Sequence, residues 1–295
     1  MVDQGKAISV ALKDGKIAGY RFGAPGRPLL LFTHATGFCA SVYRKMFAEI
    51  GDAFDIFALD MRGHGRSALP ADRKTLKSWI PFAEDVDAAL DALRVECGLK
   101  GDWTMAGHSM GGIVSLLLGA KRADVAGLRL IDPPIVSVPL VMRSAPVWSV
   151  FAANMPIVRG AAKRRDHWPD REAVLESYRA KSFFKNWAPG VLEDYLDDGL
   201  TEAPDGVRLS CAPAWEAATF SAHGHDVWAA LRGYLAKGRP ISVWGAGGED
   251  SPFTAFDRRR MRRAGATVIE DDAAGHLWPL ERPKEAAQFL LGAEA

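Results

Sequence analysis

Polar and apolar positions alternate over residues 7–12 and again over 17–22, on either side of Lys13-Asp14-Gly15-Lys16. A period of two, with Asp-Gly between the runs, predicts a β-hairpin that buries one face. The pattern then changes. Residues 29–33 and 54–59 are apolar without alternation, as in parallel strands covered on both faces. Over 79–93 the period becomes helical. Phe82, Val86, Leu90 and Leu93 share one face, and Pro81 sits in the first turn, where its missing N–H leaves no bond unmade. An apolar run at 103–106, a helical pattern at 113–118 and another apolar run at 128–131 continue the alternation. Strands alternating with helices predict an α/β fold: a mostly parallel central sheet with helices on both faces.

The alternation stops after Asp132-Pro133-Pro134 and resumes about a hundred residues later, with strands at 240–244 and 267–270 and a closing helix at 283–291 headed by Pro283. The intervening stretch has helical patterns at 171–184 and 191–196. It also holds Trp148, Trp168, Trp187, Trp215 and Trp228. Residues 134–238 are therefore expected to form a mostly helical cap inserted between two core segments, 1–133 and 239–295. Most of its tryptophans should be core, with one or two facing a pocket.

Composition narrows the function classes. The 295 residues suffice for one large α/β domain with an insertion. Lys and Arg number 37 against 36 Asp and Glu, so nothing global points to nucleic acid or to a membrane surface. The run Arg258-Arg259-Arg260-Met261-Arg262-Arg263 reads as a solvated helix face. No stretch of 18 apolar residues is present, and Met1 to Lys6 have no apolar signal core behind them. Cys39, Cys97 and Cys211 are odd in number and far apart, a pattern that suggests neither a disulfide framework nor a metal site. A cytoplasmic protein with three buried thiols is the expectation.

The chemistry concentrates in Met105-Ala106-Gly107-His108-Ser109-Met110-Gly111-Gly112. Here the frame Gly-x-Ser-x-Gly lies between a predicted strand and a predicted helix. That is the context of a nucleophile elbow, a strained turn that presents a serine hydroxyl above a sheet. A serine needs a base to take its proton. Of the seven histidines, His276 follows the last predicted strand, beside Gly275, and is the best candidate. His34, His64 and His108 lie in loop motifs that shape backbone, and His167 lies in the insertion. His223 and His225, flanking Gly224, are possible pocket liners.

Four segments in this order resemble the α/β-hydrolase superfamily: Thr33 to Phe38, Asp60 to Ser67, the elbow at Ser109, and Ala274 to Pro283. The resemblance covers residues 28–132 and 240–291. It implies a Ser–His–acid triad of Ser109, His276 and a carboxylate. Asp250 is favoured as the acid because Gly247 to Asp250 matches the superfamily's spacing after the strand that follows the cap. Asp132, which ends the strand before the cap, and Glu249 are the alternatives. The resemblance also implies an oxyanion hole made by the backbone N–H groups of Met110 and Thr36, with the Thr36 hydroxyl as a possible helper. Asp60 and Arg62 are expected to brace the floor of the site.

The function implied is hydrolysis of a small or medium apolar carboxylic ester through an acyl-enzyme on Ser109. No metal or organic cofactor is expected, and the partner is a small-molecule ester. Oligomeric state is not legible. Lactonases, carbon–carbon bond hydrolases and cofactor-free perhydrolases share the triad and stay open. Epoxide hydrolases and haloalkane dehalogenases use an aspartate nucleophile, which Ser109 opposes. A ligand-binding relative without catalysis is the alternative from another class.

Overall fold

The computed structural model describes residues 4–136 and 151–292. The hairpin forms from β1 (Lys6–Leu12) and β2 (Gly15–Gly23), with Leu12 opposite Gly15. Next come β3 (Leu29–Thr33), β4 (Asp55–Asp60), β5 (Trp103–His108) and β6 (Val125–Ile131). Across the described residues the central sheet runs β1-β2-β4-β3-β5-β6, followed by the strands Ile241–Ala246 and Thr267–Asp271. The pairs β1–β2 and β2–β4 are antiparallel and all others are parallel. The unalternating runs are the strands buried on both faces: every residue of β3 and β4 is buried.

Two apolar layers cover the sheet. One includes Phe82, Val86 and Leu90 of α2 (Ile80–Glu96) and Ile113 and Leu117 of α3 (Met110–Lys121). The other includes Met46 and Phe47 of α1 (Arg44–Ala48), and Phe289 and Leu290 near the C-terminus. The helix expected at 79–93 is three residues longer at its C-terminal end, because Arg94 packs back on Leu99, Gly101 and Asp124.

Between β6 and Ile241–Ala246, which are neighbours in the sheet, the chain makes a long excursion. It contains α4 (Pro156–Ala162), α5 (Arg171–Arg179), α6 (Val191–Gly199), α7 (Pro213–Ser221) and α8 (Val227–Leu235). It also contains strands that helical periodicity did not predict. These are β7 (His167–Trp168), β8 (Leu200–Ala203) and β9 (Gly206–Leu209), which form a small antiparallel sheet in the order β7-β9-β8. Helix α8 packs on α3, and its Leu231 and Tyr234 belong to the layer covering the sheet.

Trp168, Trp187, Trp215 and Trp228 are all buried, while Trp148 lies outside the described residues. Cys39 and Cys211 are buried but Cys97 is exposed, a departure from the expectation of three buried thiols. It caps the C-terminal end of α2, where the helix meets solvent. In the helix Ala255–Arg263, Arg258 and Arg262 pair with Glu270, and Arg260 lies 3.7 Å over the Trp228 ring. Among the described residues no helix is long and apolar enough to cross a membrane.

Candidate active site

The site gathers at the carboxyl ends of parallel strands, the place where open α/β sheets bind ligands. β5 ends at His108, and the chain turns at once into α3. Ser109 makes that turn with φ 55°, an uncommon value for a residue with a side chain. Crowding forces glycine on both sides. A Cβ on Gly111 would lie 2.0 Å from the Thr33 carbonyl oxygen, and one on Gly107 would lie 2.3 Å from the Gly111 carbonyl carbon. The Thr33 hydroxyl donates to the Gly111 carbonyl at 2.8 Å and so ties β3 to the elbow.

Ser109 Oγ lies 3.1 Å from His276 Nε2, and His276 Nδ1 lies 2.6 Å from Asp132 Oδ2. Asp132 is fully buried, and its Oδ1 accepts from the Ala246 N–H at 3.0 Å and the Ser251 hydroxyl at 2.8 Å. Its φ is 41°, so Ser109 and Asp132 are the non-glycine residues of positive φ among the described residues. Such conformations cost on the order of 1–3 kcal/mol and persist where the surroundings over-determine them.

Asp250, favoured from spacing, does not reach the imidazole ring nitrogens. Its Oδ2 instead accepts from the His276 backbone N–H at 3.0 Å. The reason lies in strand order. β5 and β6 are neighbours with His108 opposite Ile131, so the next residues, Ser109 and Asp132, emerge side by side. The Asp250 loop follows Ile241–Ala246, one strand further from Ser109. Glu249 makes no contact with the ring either.

The main chain of His276 is held on its other side as well. Its carbonyl can only accept, so His108 Nε2–H donates to it at 2.9 Å. In the neutral ring His108 Nδ1 is then an acceptor, and it receives the Tyr43 hydroxyl at 2.9 Å. Tyr43 Oη in turn accepts the Ala35 N–H at 3.2 Å. Burial, and after it the neighbouring His276, hold the His108 pKa well below its ordinary value. One chain of hydrogen bonds thus joins the histidine loop to the loop after β3.

In that second loop the N–H groups are used unevenly. Ala35 N–H is taken by Tyr43, and Gly37 N–H donates to His64 Nε2 at 3.1 Å. Thr36 N–H, between them, has no acceptor among the described residues. Met110 N–H is the first amide of α3 and has no intrahelical acceptor. The Thr36 hydroxyl donates to Met110 Sδ at 3.3 Å, which brings the two residues together. That hydroxyl is therefore engaged within the fold. His34 accepts the Met61 N–H at 2.9 Å and donates to its neighbour's carbonyl, so both loop histidines tie the β3 loop to residues 60–67. Asp60 accepts from the Ala40 and Arg66 N–H groups, and Arg62 pairs with Asp85. These contacts are those of a brace.

A cavity of about 500 Å³ opens over Ser109, Thr36 and His276, a size common for small-molecule sites. Phe38, Phe184, Phe220 and Leu277 supply apolar wall. No tryptophan lines it among the described residues. The same holds for His223 and His225, which pack against Trp79. Sequence reasoning missed the polar lining, Arg164 and Glu216 with Tyr178 and Tyr195. These residues stand far apart in an insertion without motif, and no spacing signal joins them. Among the described residues no group of three or more His, Cys, Asp or Glu side chains could hold a metal.

The model of a family described as the alpha/beta hydrolase family matches residues 30–289. The chain is similar to the uncharacterized hydrolase YugF of Bacillus subtilis, with 27% identity over 90% of this chain and 89% of the relative. It is also similar to the 2-(acetamidomethylene)succinate hydrolase of Mesorhizobium japonicum, with 30% identity over 65% of this chain and 67% of that protein. Among solved structures, E-2-(acetamidomethylene)succinate hydrolase superposes with a TM-score of 0.77 at 20% identity, covering 98% of each chain. This last likeness concerns the fold.

Proposed function

The chain belongs to the alpha/beta hydrolase family, and from that premise we propose that it is a serine hydrolase cleaving a carboxylic ester. One observation carries the reading: the continuous chain Ser109 Oγ, His276, Asp132 at the floor of a largely apolar cavity. Ser109 Oγ attacks the ester carbonyl while His276 Nε2 takes its proton. Asp132 holds the ring by Nδ1–H and stabilises the imidazolium. The tetrahedral oxyanion is received by the N–H groups of Thr36 and Met110, at the positive end of α3. His276 then returns the proton to the leaving alcohol. In the second half it deprotonates water, which attacks the acyl carbon and frees Ser109.

In this assignment Asp250 is a positioning residue that fixes the histidine loop through its backbone. The apolar wall suits acyl or alcohol groups of small to medium size. Unpaired Cys39, Cys97 and Cys211 suit a reducing compartment, and we place the protein in the cytoplasm. The test is hydrolysis of p-nitrophenyl butyrate by the wild type and by Ser109→Ala. Turnover in the first that disappears in the second supports the reading. Equal turnover in both sinks it.

A further inference from the structure

One wall of the cavity above Ser109 is charged, and its hydrogen bonds do not close on themselves. Arg164 Nη1 reaches both oxygens of Glu216, at 2.8 and 2.7 Å. Its Nη2 donates to Tyr178 Oη at 3.1 Å and to Tyr195 Oη at 3.5 Å. Tyr195 passes its own proton to the Gly37 carbonyl at 3.1 Å. Tyr178 receives from Arg164, but its hydroxyl proton has no acceptor among the described residues. Lys181 places its Nζ 4.5 Å over the Tyr178 ring and has no carboxylate partner among the described residues. Tyr178 and Lys181 both line the cavity.

The wall thus presents two cations, Arg164 and Lys181, against one acid, Glu216, and that acid is already engaged. Asp250, the other acid at the cavity, is engaged by the His276 N–H. Burial, with Arg164 and Arg165 nearby, lowers the Lys181 pKa, as an uncompensated positive field would. The cluster also stands close to the reacting centre. A Cβ on Gly37, next to the oxyanion donor Thr36, would lie 2.5 Å from Glu216 Oε1 and 3.4 Å from Arg164 Nη1. Tyr178 is buried and its spare donor is costly there unless an acceptor arrives, whereas Lys181 is exposed and its ammonium stands at the cavity's edge.

We propose that Tyr178 and Lys181 form a subsite for a carboxylate carried by the substrate, with Arg164, held by Glu216, polarising the tyrosine hydroxyl. The substrate class is then an ester whose short apolar chain ends in a carboxylate. This inference rests on the esterase reading and narrows it. The carboxylate would accept the Tyr178 proton and face the Lys181 ammonium, while the chain lies along Phe184 and Phe220.

The test compares the monomethyl esters of succinic, glutaric and adipic acids with their dimethyl esters, which are neutral and share the same bond. At the best chain length, kcat/KM for the monomethyl ester should exceed that for the dimethyl ester by about tenfold or more. Tyr178→Phe and Lys181→Gln should each lower this ratio about tenfold, as expected for a lost bond to a charged group. Lys185→Gln, outside the cavity lining, should keep the wild-type ratio. A ratio at or below one at every length overturns the subsite, as does a ratio that neither cavity variant moves. Hydrolysis of neither ester by the wild type would count against the esterase reading instead. Calorimetric titration of Ser109→Ala with monomethyl and dimethyl adipate then decides the subsite without chemistry. Preferential binding of the anion that Lys181→Gln weakens supports it, and equal binding overturns it.

Discussion

The floor and the charged wall of the cavity are built differently. At the floor, Asp132 accepts hydrogen bonds from His276, Ala246 and Ser251, and His276 is gripped at its N–H by Asp250 and at its carbonyl by His108. On the wall, Arg164 and Glu216 satisfy each other while Tyr178 keeps a donor to spare. At the floor Ser109 and Asp132 follow adjacent strand ends whose ladder register sets them side by side, and His276 follows the edge strand Thr267–Asp271. The wall hangs from α4, α5 and α7, which reach the site only by packing. Reaction chemistry needs the first kind of support. Substrate choice can be set by the second, because replacing a wall residue leaves the ladder untouched.

The largest expected effect falls on the floor. Ser109→Ala should lower kcat by about 10⁴-fold or more, since triad members act as a unit, with the circular dichroism spectrum unchanged. The two acids should then separate. Asp132→Asn should lower kcat on the order of 10⁴-fold by leaving the wrong imidazole tautomer. Asp250→Asn should lower it only about tenfold, because an amide oxygen can still accept the His276 N–H. Steady-state kinetics on one p-nitrophenyl ester reads both, and equal losses would erase the distinction between them.

On the wall the effect should appear first in stability. Glu216→Ala removes the acid partner of the half-buried Arg164 guanidinium, and losing a charge-assisted bond of this kind costs about 2 kcal/mol. A urea titration would show the midpoint fall. An unchanged midpoint would mean that Arg164 finds water or another partner at no cost.

The smallest effect concerns the brace beneath the floor. Burial lowers the His64 pKa to about 4, while the unfolded chain titrates near 6.5. Between those values the unfolded state binds the extra proton, so stability falls as pH falls from 6.5 towards 4. His223 behaves alike, and His34 and His108 shift the same way. Burial pushes Asp60 up to about 6. The native state therefore takes that proton first, and Asp60 gains stability on acidification between 6 and its unfolded value. Burial raises Asp85, Asp194, Glu216, Asp257 and Glu281 too, in the same sense as Asp60, so the His64 contribution to the change in urea midpoint between pH 7 and pH 5 is read by comparison with a variant. His64→Gln should remove about 2 kcal/mol of that pH dependence, and an unaltered difference would show His64 to be accessible to protons in the native state.

Much of the framework was legible beforehand. Unbroken apolar runs marked β3 and β4, because a strand covered on both faces has no polar side. The elbow at Ser109 and the histidine after the last strand were legible because each is a local backbone requirement written in adjacent residues. Asp250 was favoured because its glycine spacing is local too, whereas the position of Asp132 against the ring depends on β6 lying next to β5. The strands β8 and β9 were hidden, since four-residue strands are too short to show a period. The Arg164, Tyr178 and Glu216 wall was hidden for another reason. Its members are drawn together by packing across an insertion, and packing leaves no mark at fixed spacing.

By itself the sequence determined the α/β class and the strand–turn–helix at Ser109, since these follow from periodicity and from steric limits on neighbouring residues. Which carboxylate faces His276 and what lines the cavity were decided only in three dimensions. Those features arise where strand order and helix packing bring distant residues within hydrogen-bond reach, a distance that no spacing along the chain encodes.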